Sequence, residues 1–273
     1  MFAVVKNDLI APRLHRLVVK APRIAAARQP GQFVMVRESA GAERIPLTIG
    51  DADPDQGTIS LFVQAIGAST QKIVTVPPGG FLLDVAGPLG MPTEIEAWGR
   101  VACVGGGVGT AVLYPMAKAL AAAGNRVTAV IGGRTRSLII LADELAEFCD
   151  QLRITTDDGS SGSKGFVTDE LQTLIDDPDA RPATVFAVGP VPMMRAVAEL
   201  TRPHAIPTVV SLNPIMIDGT GMCGGCRVQI GDETRFACVD GPEFDGHLVD
   251  FAGLSKRLTM YKNHEEACQL FGS

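Results

Sequence analysis

The chain has few aromatic residues and no long run of apolar or basic residues. Among its 273 residues, one Trp and two Tyr leave few aromatic platforms for stacking. No segment approaches the roughly 18 consecutive apolar residues that a transmembrane helix requires. No basic run stands out and the net charge is −6. We therefore expect no membrane partner and no nucleic-acid partner.

The amino terminus lacks the features of an export signal. The stretch MFAVVKNDLIAPRL has no basic region followed by an apolar run and a small-residue cleavage site. We therefore expect a cytoplasmic protein. In a reducing compartment, six cysteines indicate metal or redox chemistry rather than a disulfide framework.

Three regions follow one another along the chain. Residues 1–97 contain short β-branched segments broken by Pro, Gly or Asp, which predict a small antiparallel barrel or sandwich. One helix is predicted there, over Thr70–Val76. The strand segments are FAVVKNDL, LHRLVVKAP, GQFVMVRE and GTISLFVQAI.

Residues 98–210 alternate between strand and helix patterns, which predicts a parallel sheet with right-handed crossovers. The strands are RVACVGG, RVTAVIGG, LRITTDD, ATVFAVG and PTVVSLN. The helices are TAVLYPMAKALAAAG, SLIILADELAEFC, VTDELQTLID and VPMMRAVAELT. Residues 211–273 are rich in Gly and Cys, and carry the strand pair RVQIG and ETRFAC and the helix VDFAGLSKRL.

Three cysteines lie close together in the stretch DGTGMCGGCRVQIGDETRFAC. Two residues separate Cys223 from Cys226, and eleven separate Cys226 from Cys238. Thiolates at this spacing bind zinc or an iron–sulfur cluster. A structural zinc site would be expected to add a second closely spaced pair, whereas Cys238 stands alone. The remaining cysteines are predicted to be inert core residues, Cys103 and Cys149, and a spare thiol in the tail, Cys268.

The loop is also dense with glycine, which allows backbone N–H groups to turn toward cluster sulfurs. Glycine therefore favours a [2Fe–2S] cluster over zinc. Four residues separate Asp218 from Cys223. The spacing resembles that of the electron-transfer subunit of dihydroorotate dehydrogenase, with Asp in place of the first Cys. Spacing alone leaves two interpretations of Asp218 open, an iron ligand or the first residue of a turn.

Two stretches in the first region resemble the flavin site of ferredoxin-reductase-like flavoproteins. The stretch RIPLT keeps the Arg44 and Thr48 of an Arg-x-aromatic-Ser/Thr motif, with Pro46 and Leu47 where an aromatic is usual. The resemblance implies that Arg44 meets the flavin pyrophosphate and that Thr48 lies near the flavin ring. A second phosphate site is predicted where a helix begins, at Gly67, Ser69 and Thr70. Ser69 is equally suited to be an ordinary helix cap.

The stretch CVGGGVGTAV follows a strand and opens a helix, as a dinucleotide-binding turn does. It resembles the Gly-Gly-x-Gly turn of ferredoxin-reductase nicotinamide domains, although close strand–helix packing also requires glycine. Two later loops, GGRTRS and TTDDGSSGSKG, lie at predicted carboxyl ends of strands, where nucleotides bind. The stretch VGPVPMM resembles the Cys-Gly-Pro element that lies against nicotinamide in that family, with Val188 in place of the Cys. The candidate nucleotide-binding residues are Gly105, Gly107, Gly109, Thr110, Arg134, Asp157, Asp158, Gly189 and Pro190.

Taken together, the stretches RIPLTI, VGGGVGTAV, TTDDGS, VSLNPIMIDGTGMCGGCRV and FACVDGPEFDGH resemble the small-subunit family of NADH-dependent reduced ferredoxin:NADP oxidoreductase and sulfide dehydrogenase. The resemblance covers nearly the whole chain. It implies an α+β multi-domain fold: a flavin-binding antiparallel β-barrel over 1–97, a nicotinamide-binding α/β domain over 98–210 and a [2Fe–2S] domain over 211–273.

The resemblance also implies FAD, a [2Fe–2S] cluster and NAD(H). In this family one Asp and three Cys hold the cluster, which favours Asp218, Cys223, Cys226 and Cys238 as ligands. The implied partner is a larger subunit like the small subunit of glutamate synthase, carrying FAD and two [4Fe–4S] clusters and reacting with ferredoxin. Arg134, directly after RVTAVIGG, suits NADP(H), but the resemblance favours NAD(H).

Three alternatives remain. A dihydroorotate dehydrogenase electron-transfer subunit would have the same cofactors and a different partner, although Asp218 replaces its first Cys. A zinc-stapled nucleotide-binding regulator would be colourless. A phthalate-dioxygenase-type reductase would have its last cluster Cys much farther downstream.

Overall fold

The computed structural model describes residues 1–260, and Cys268 lies outside the described residues. The chain divides into two compact units, each built from discontinuous segments. Unit 1 contains Met1–Pro92, Asn213–Pro242 and the segment that begins at Ala252, and unit 2 contains Thr93–Leu212 and Glu243–Phe251. The functional boundaries after residues 97 and 210 stay a prediction.

Unit 1 contains an antiparallel near-barrel. Its elements are β1 (Phe2–Ala11), β2 (Leu14–Lys20), α1 (Pro22–Ala27), β3 (Phe33–Arg37), β4 (Ile45–Asp53), β5 (Thr58–Gln64), α2 (Ala68–Val74), β6 (Phe81–Leu82) and β7 (Asp84–Leu89). The strand order is β6-β1-β2-β5-β4-β3-β7, with antiparallel neighbours throughout. Only Leu83 separates β6 from β7, so the chain itself joins the two ends of this order.

Alternating side chains explain these strands. In β5, Ile59, Leu61 and Val63 are fully buried while the residues between them are partly exposed. Each such side chain stabilises the barrel by roughly 1.5–3 kcal/mol through removal from water. The helix predicted over Thr70–Val76 spans Ala68–Val74 instead. Its start moves because the Thr70 hydroxyl accepts the Gly67 N–H at 3.0 Å, so Thr70 caps the helix from its third position.

Unit 2 contains a mostly parallel sheet. Its elements are β8 (Arg100–Gly106), α3 (Gly109–Ala122), β9 (Arg126–Gly133), a 3₁₀ turn (Arg136–Leu138), α4 (Ala142–Ala146), β10 (Gln151–Thr156), β11 (Ser163–Lys164), α5 (Val167–Asp176), β12 (Thr184–Val188), α6 (Val191–Thr201), a second 3₁₀ turn (Arg202–His204), β13 (Thr208–Ser211) and β16 (Glu243–Asp245). The order is β11-β10-β9-β8-β12-β13-β16, and β16 alone is antiparallel to its neighbour.

This order confirms the predicted parallel sheet and creates a switch point. From β8 the chain adds β9, β10 and β11 on one side, and then β12 and β13 on the other. Nucleotides bind at such a point, outside the carboxyl ends of the strands. The antiparallel near-barrel and the mostly parallel sheet thus agree with the expected α+β multi-domain fold.

The helix predicted over Ser137–Cys149 is wrong in extent. Only Ala142–Ala146 is α-helical, after the short 3₁₀ turn. Leu141 has a left-handed backbone with φ of 57°, which interrupts any continuous helix.

The segment after residue 211 forms the hairpin β14 (Arg227–Ile230) and β15 (Glu233–Phe236), which confirms the predicted strand pair. The helix α7 spans Phe251–Leu258, two residues shorter than predicted. Within residues 1–260, none of the helices is both long and apolar enough for a membrane span.

Candidate functional site

The loop that carries the cysteines depends on glycine for its path. Gly221 has φ of 85°, and a Cβ there would lie 2.8 Å from Val239 Cγ2. Gly219 has φ of 78°, and a Cβ there would lie 2.6 Å from Met35 Cγ. A larger residue at either position would combine backbone strain with a steric clash. The loop therefore packs tightly onto the barrel strand that contains Met35.

The four predicted ligands form two pairs. The Cys223 thiol donates to Asp218 Oδ1 at 3.2 Å, and the Cys226 and Cys238 sulfurs are 3.2 Å apart. Backbone N–H groups also point at sulfur, from Gly225 to Cys223 and from Cys238 to Cys226, each at 3.4 Å. Thiol and carboxylate donors whose sulfurs accept backbone N–H groups are the donor set that iron–sulfur clusters use.

The pairing is compatible with a two-iron cluster, in which each iron would take one pair, Asp218 with Cys223 and Cys226 with Cys238. The donor set thus fits the [2Fe–2S] cluster that the sequence predicts.

The protonation of the donors follows from their surroundings. The Cys223 thiol, then the Thr220 hydroxyl and the amides of Thr220 and Met222, hold the pKa of Asp218 down to about 2. Burial and the adjacent Cys226 raise the pKa of Cys238 to about 12. Asp218 is therefore an anionic oxygen donor, whereas Cys238 must lose its proton when metal binds. The same hydrogen bonds also make Asp218 a turn residue, so both interpretations of it are compatible with the geometry.

Three exposed large apolar residues are sequence neighbours of the predicted ligands, a feature that sequence reasoning missed. Ile217 precedes Asp218, Met222 precedes Cys223 and Val239 follows Cys238. They are 56%, 90% and 43% exposed. The available signal was apolar residues inside an otherwise polar and glycine-rich loop. We call these three residues the apolar rim.

The core cysteines differ from those of the loop. Cys103 is fully buried in β8. Burial raises the pKa of Cys149 to about 12 and that of Cys103 well above its ordinary value. Neither thiol is a ready nucleophile, in agreement with the predicted packing role.

The predicted flavin residues of β4 lie on two faces of the strand. Leu47 is buried in the barrel core, whereas Pro46 and Thr48 point to the opposite, partly exposed side. Arg44 is about half exposed, and its Nη2 lies 3.3 Å from Asp84 Oδ2. Asp84 also binds Arg37, whose Nε donates at 2.8 Å. Because exposed ion pairs are weak, Arg44 remains free to turn toward a phosphate.

The structure joins the two predicted flavin stretches through Glu43. Ser69 Oγ donates to Glu43 Oε2 at 2.9 Å, which brings the residue before Arg44 to the start of α2. Thr70 Oγ1 accepts the Ile66 and Gly67 N–H groups. The two stretches are therefore adjacent, as one pyrophosphate site requires. Sequence reasoning missed Glu43 because an acid beside an Arg has no distinctive pattern.

The glycine-rich turn after β8 is shaped by close packing. A Cβ at Gly109 would lie 2.3 Å from the Val188 carbonyl oxygen, and one at Gly105 would lie 2.8 Å from Thr110 Oγ1. Gly107 has φ of 55°. Across the switch point, Gly189 also faces this turn, and Pro190 directly precedes α6. The candidate nucleotide-binding residues at the ends of β8 and β12 are therefore in contact. Backbone atoms rather than side chains line this part of the carboxyl edge of the sheet.

Hydrogen bonds connect the loop after β9 to the loop after β10. Ser160 donates through its N–H and its hydroxyl to Asp158 Oδ1, at 2.9 and 2.6 Å. The Arg136 N–H donates to Ser160 Oγ at 2.8 Å, and the Asp158 N–H to the Arg134 carbonyl at 3.3 Å. Ser160 thereby lowers the pKa of Asp158. Asp157 lies beside them through its N–H to the Gly133 carbonyl.

Two family patterns match parts of the chain. Residues 213–250 match the iron–sulfur cluster binding domain of dihydroorotate dehydrogenase B. Residues 103–199 match the oxidoreductase NAD-binding domain.

Individual proteins match nearly the whole chain. The dihydroorotate dehydrogenase B (NAD(+)) electron transfer subunit homolog of Thermotoga maritima is 46% identical over 96% of this chain and 92% of its own. The electron transfer subunit of Bacillus caldolyticus is 36% identical over 88% of this chain and 94% of its own. A solved structure of NADH-dependent reduced ferredoxin-NADP oxidoreductase, described in terms of flavin-based electron bifurcation, is 45% identical. It covers 98% of this chain and 96% of its own, with a TM-score of 0.92.

Proposed function

Because the chain belongs to the family of dihydroorotate dehydrogenase B electron-transfer subunits and their homologues, we propose that it moves electrons between NAD(H), FAD and a [2Fe–2S] cluster. It is an oxidoreductase subunit with an NAD-binding domain and an iron–sulfur binding region. The pairing of Asp218 with Cys223 and of Cys226 with Cys238 carries the proposal. Bound FAD would supply two-electron exchange with NAD(H) and one-electron exchange with the cluster.

The residues of the barrel would hold FAD rather than FMN. Arg44 and the Gly67–Thr70 turn offer two separate phosphate contacts, joined by Glu43 and Ser69. Two contacts suit a pyrophosphate better than a single phosphate. Thr48, on the partly exposed side of β4, would face the flavin ring.

The partner proposed is a larger subunit like the small subunit of glutamate synthase, with its own FAD and two [4Fe–4S] clusters. The apolar rim supports a protein partner at the cluster, since Met222 is 90% exposed next to a predicted ligand. Burial of such side chains by a partner favours association and excludes water from the cluster. Ferredoxin would react with that partner, as in electron bifurcation.

The similar structure of NADH-dependent reduced ferredoxin-NADP oxidoreductase supports this partner. A dihydroorotate dehydrogenase partner is the second candidate, and the names of the relatives favour it. Asp218 in the first ligand position favours the bifurcating type, because the dihydroorotate dehydrogenase pattern has Cys there. Purification of the native complex with a tag on this chain, followed by identification of the bound subunit, separates the two.

The nucleotide proposed is NAD(H). Asp158 keeps a carboxylate at the carboxyl edge of the sheet, where Ser160 lowers its pKa. A carboxylate accepts a ribose 2′-hydroxyl and repels a 2′-phosphate. Arg134 and Arg136 on the adjoining loop are exposed and would attract a phosphate. We assign the preference to Asp158, because its position is held by hydrogen bonds whereas the two Arg side chains extend into solvent.

The test is anaerobic purification of the chain followed by measurement of FAD, iron, acid-labile sulfide and zinc. We expect FAD, iron and sulfide in the ratio 1:2:2 that defines one FAD and one [2Fe–2S] cluster, a brown-yellow colour, and reduction of the flavin by NADH. A colourless protein that contains stoichiometric zinc would contradict the proposal.

A further inference from the structure

An arginine outside the cysteine motif contacts the cluster loop. Arg257, in the last turn of α7, donates from Nη2 to the Gly225 carbonyl oxygen at 2.8 Å. Both residues belong to unit 1. The buried side chain of Leu254 anchors α7 one turn before Arg257. The guanidinium is partly buried, so its charge is less screened than that of a free surface residue.

The carbonyl that Arg257 binds lies between two predicted ligands. Gly225 directly precedes Cys226, and its own N–H donates to Cys223 Sγ at 3.4 Å. Arg257 therefore acts on the short segment that carries one ligand of each pair. A second guanidinium lies close by, since Arg227 Nη1 is 3.2 Å from the place of a Cβ on Gly224.

We propose that Arg257 is a positioning residue of the cluster loop. It holds the Gly225 carbonyl, and thereby the segment between Cys223 and Cys226, and it places a fixed positive charge beside the cluster. The inference rests on the proposed [2Fe–2S] cluster and concerns how this chain sets its redox properties.

The direction in which Arg257 shifts the reduction potential of the cluster follows from its charge. Reduction adds one electron, and therefore one negative charge, to a cluster held by three thiolates and a carboxylate. A nearby cation stabilises the reduced state more than the oxidised state, and cluster potentials respond to such charges. Arginine remains charged throughout the accessible pH range. Loss of Arg257 should therefore make the cluster harder to reduce.

Geometry contributes separately from charge. The planar guanidinium binds the carbonyl in one fixed orientation, whereas a lysine ammonium on a flexible stem does not. Arg257→Lys should preserve much of the charge effect and loosen the loop. Arg257→Gln should remove the charge effect while retaining an amide donor.

The experiment compares Arg257→Gln, Arg257→Lys and the matched control Lys256→Gln in the full chain. Lys256 is the adjacent, exposed residue of the same helix, so its substitution removes the same charge without touching the loop. The measurements are iron and sulfide per FAD, the electron paramagnetic resonance spectrum of the reduced cluster, and its reduction potential by anaerobic titration with redox dyes.

We expect Arg257→Gln to lower the ratio of reduced to oxidised cluster several-fold at a given potential, where a tenfold change corresponds to 59 mV. Arg257→Lys should lie between it and wild type, and Lys256→Gln should match wild type. Loss of iron from Arg257→Gln with FAD retained also supports the proposal, because it shows an effect confined to the loop. A potential and spectrum equal to those of Lys256→Gln, or loss of iron and FAD together, would overturn it.

The result separates this inference from the proposed function. A wild-type chain with no [2Fe–2S] signal contradicts the proposed function itself. A wild-type chain with a normal cluster, and an Arg257→Gln variant indistinguishable from it, contradicts only the role of Arg257.

Discussion

The cysteine loop and the carboxyl edge of the nucleotide sheet are both rich in glycine, but they present different atoms to a cofactor. In the loop the binding atoms are side chains, arranged as the pairs Asp218 with Cys223 and Cys226 with Cys238. At the sheet edge the opening is lined by backbone, because Gly109 lies against the Val188 carbonyl. One site is therefore sensitive to removal of a side chain, and the other to addition of one.

One carboxyl group in each region differs in its pKa, because the surroundings of the two groups differ. Asp218 receives several hydrogen bonds, which hold its pKa at about 2. Glu243, on β16, receives one, from Thr93 Oγ1 at 2.6 Å, and burial raises its pKa to about 7. A partly exposed acid with many donors stays charged, whereas a part-buried acid with one donor is only partly ionised at neutral pH. The Asp218 carboxylate is therefore charged at neutral pH, whereas the surroundings of Glu243 in unit 2 disfavour its ionisation.

The largest effect should come from Cys226→Ala. It leaves Cys238 without its pair, so we expect complete loss of iron and sulfide with FAD retained. Iron analysis and the visible spectrum measure it. Cys149→Ala is the control, because that thiol packs in the core of unit 2 and its removal should leave the cluster intact. A cluster that survives in Cys226→Ala would exclude Cys226 as a ligand.

Next in size is Gly109→Ala. The added carbon would lie 2.3 Å from the Val188 oxygen, and such overpacking typically costs about 1–3 kcal/mol. We expect the KM for NADH to rise about tenfold or more, with cluster and flavin contents unchanged. Gly133→Ala is the milder control, with its nearest contact at 3.3 Å. Equal KM values for the two variants would show that the turn can relax.

The nucleotide preference should respond to Asp158→Asn, which keeps an acceptor for Ser160 and removes the charge. We expect the ratio of kcat/KM for NADPH to that for NADH to rise about tenfold, equivalent to ~1.4 kcal/mol. Asp176→Asn, on the exposed end of α5, controls for net charge. An unchanged ratio in Asp158→Asn would show that another residue sets the preference for NADH over NADPH.

Asp218 allows a finer test of the loop. Asp218→Cys should keep a [2Fe–2S] cluster with an altered electron paramagnetic resonance signal, and with a potential shifted by ~60 mV, since a thiolate is a softer ligand. Asp218→Ala should make the cluster labile. Wild-type spectra and potentials in both variants would leave Asp218 as a turn residue only.

The last prediction concerns stability and pH rather than a cofactor site. The pKa of Glu243 is raised from 4.5 to about 7, so its contribution to stability is fully present below pH 4.5 and is lost as pH rises through 7. Glu243→Gln, which is always neutral, should therefore be more stable than wild type at pH 8, by about 2 kcal/mol or ~5 °C in Tm. The two proteins should unfold at similar temperatures at pH 5. Parallel curves of Tm against pH would show that Glu243 does not titrate in this range.

Much of the fold was predictable because its signals are local. The helices VTDELQTLID and VPMMRAVAELT were predicted with the bounds that α5 and α6 have. The predicted helix over Ser137–Cys149 failed, because the left-handed backbone at Leu141 is not encoded in the apolar pattern. The strand β16 was missed, since its three residues gain a partner only by pairing with β13. Short elements depend on tertiary partners more than on their own sequence.

The sequence by itself determined the chemistry of the candidate sites and the family. Residue type and spacing are local properties, and they placed Asp218 and the three cysteines in one motif and the glycines between a strand and a helix. Only the tertiary structure decided which donors pair, that Asp158 is held from the loop after β9 through Ser160, and that Arg257 reaches Gly225 from 32 residues away. Such contacts depend on how distant segments pack, and a pattern within one segment carries no information about the surface of another.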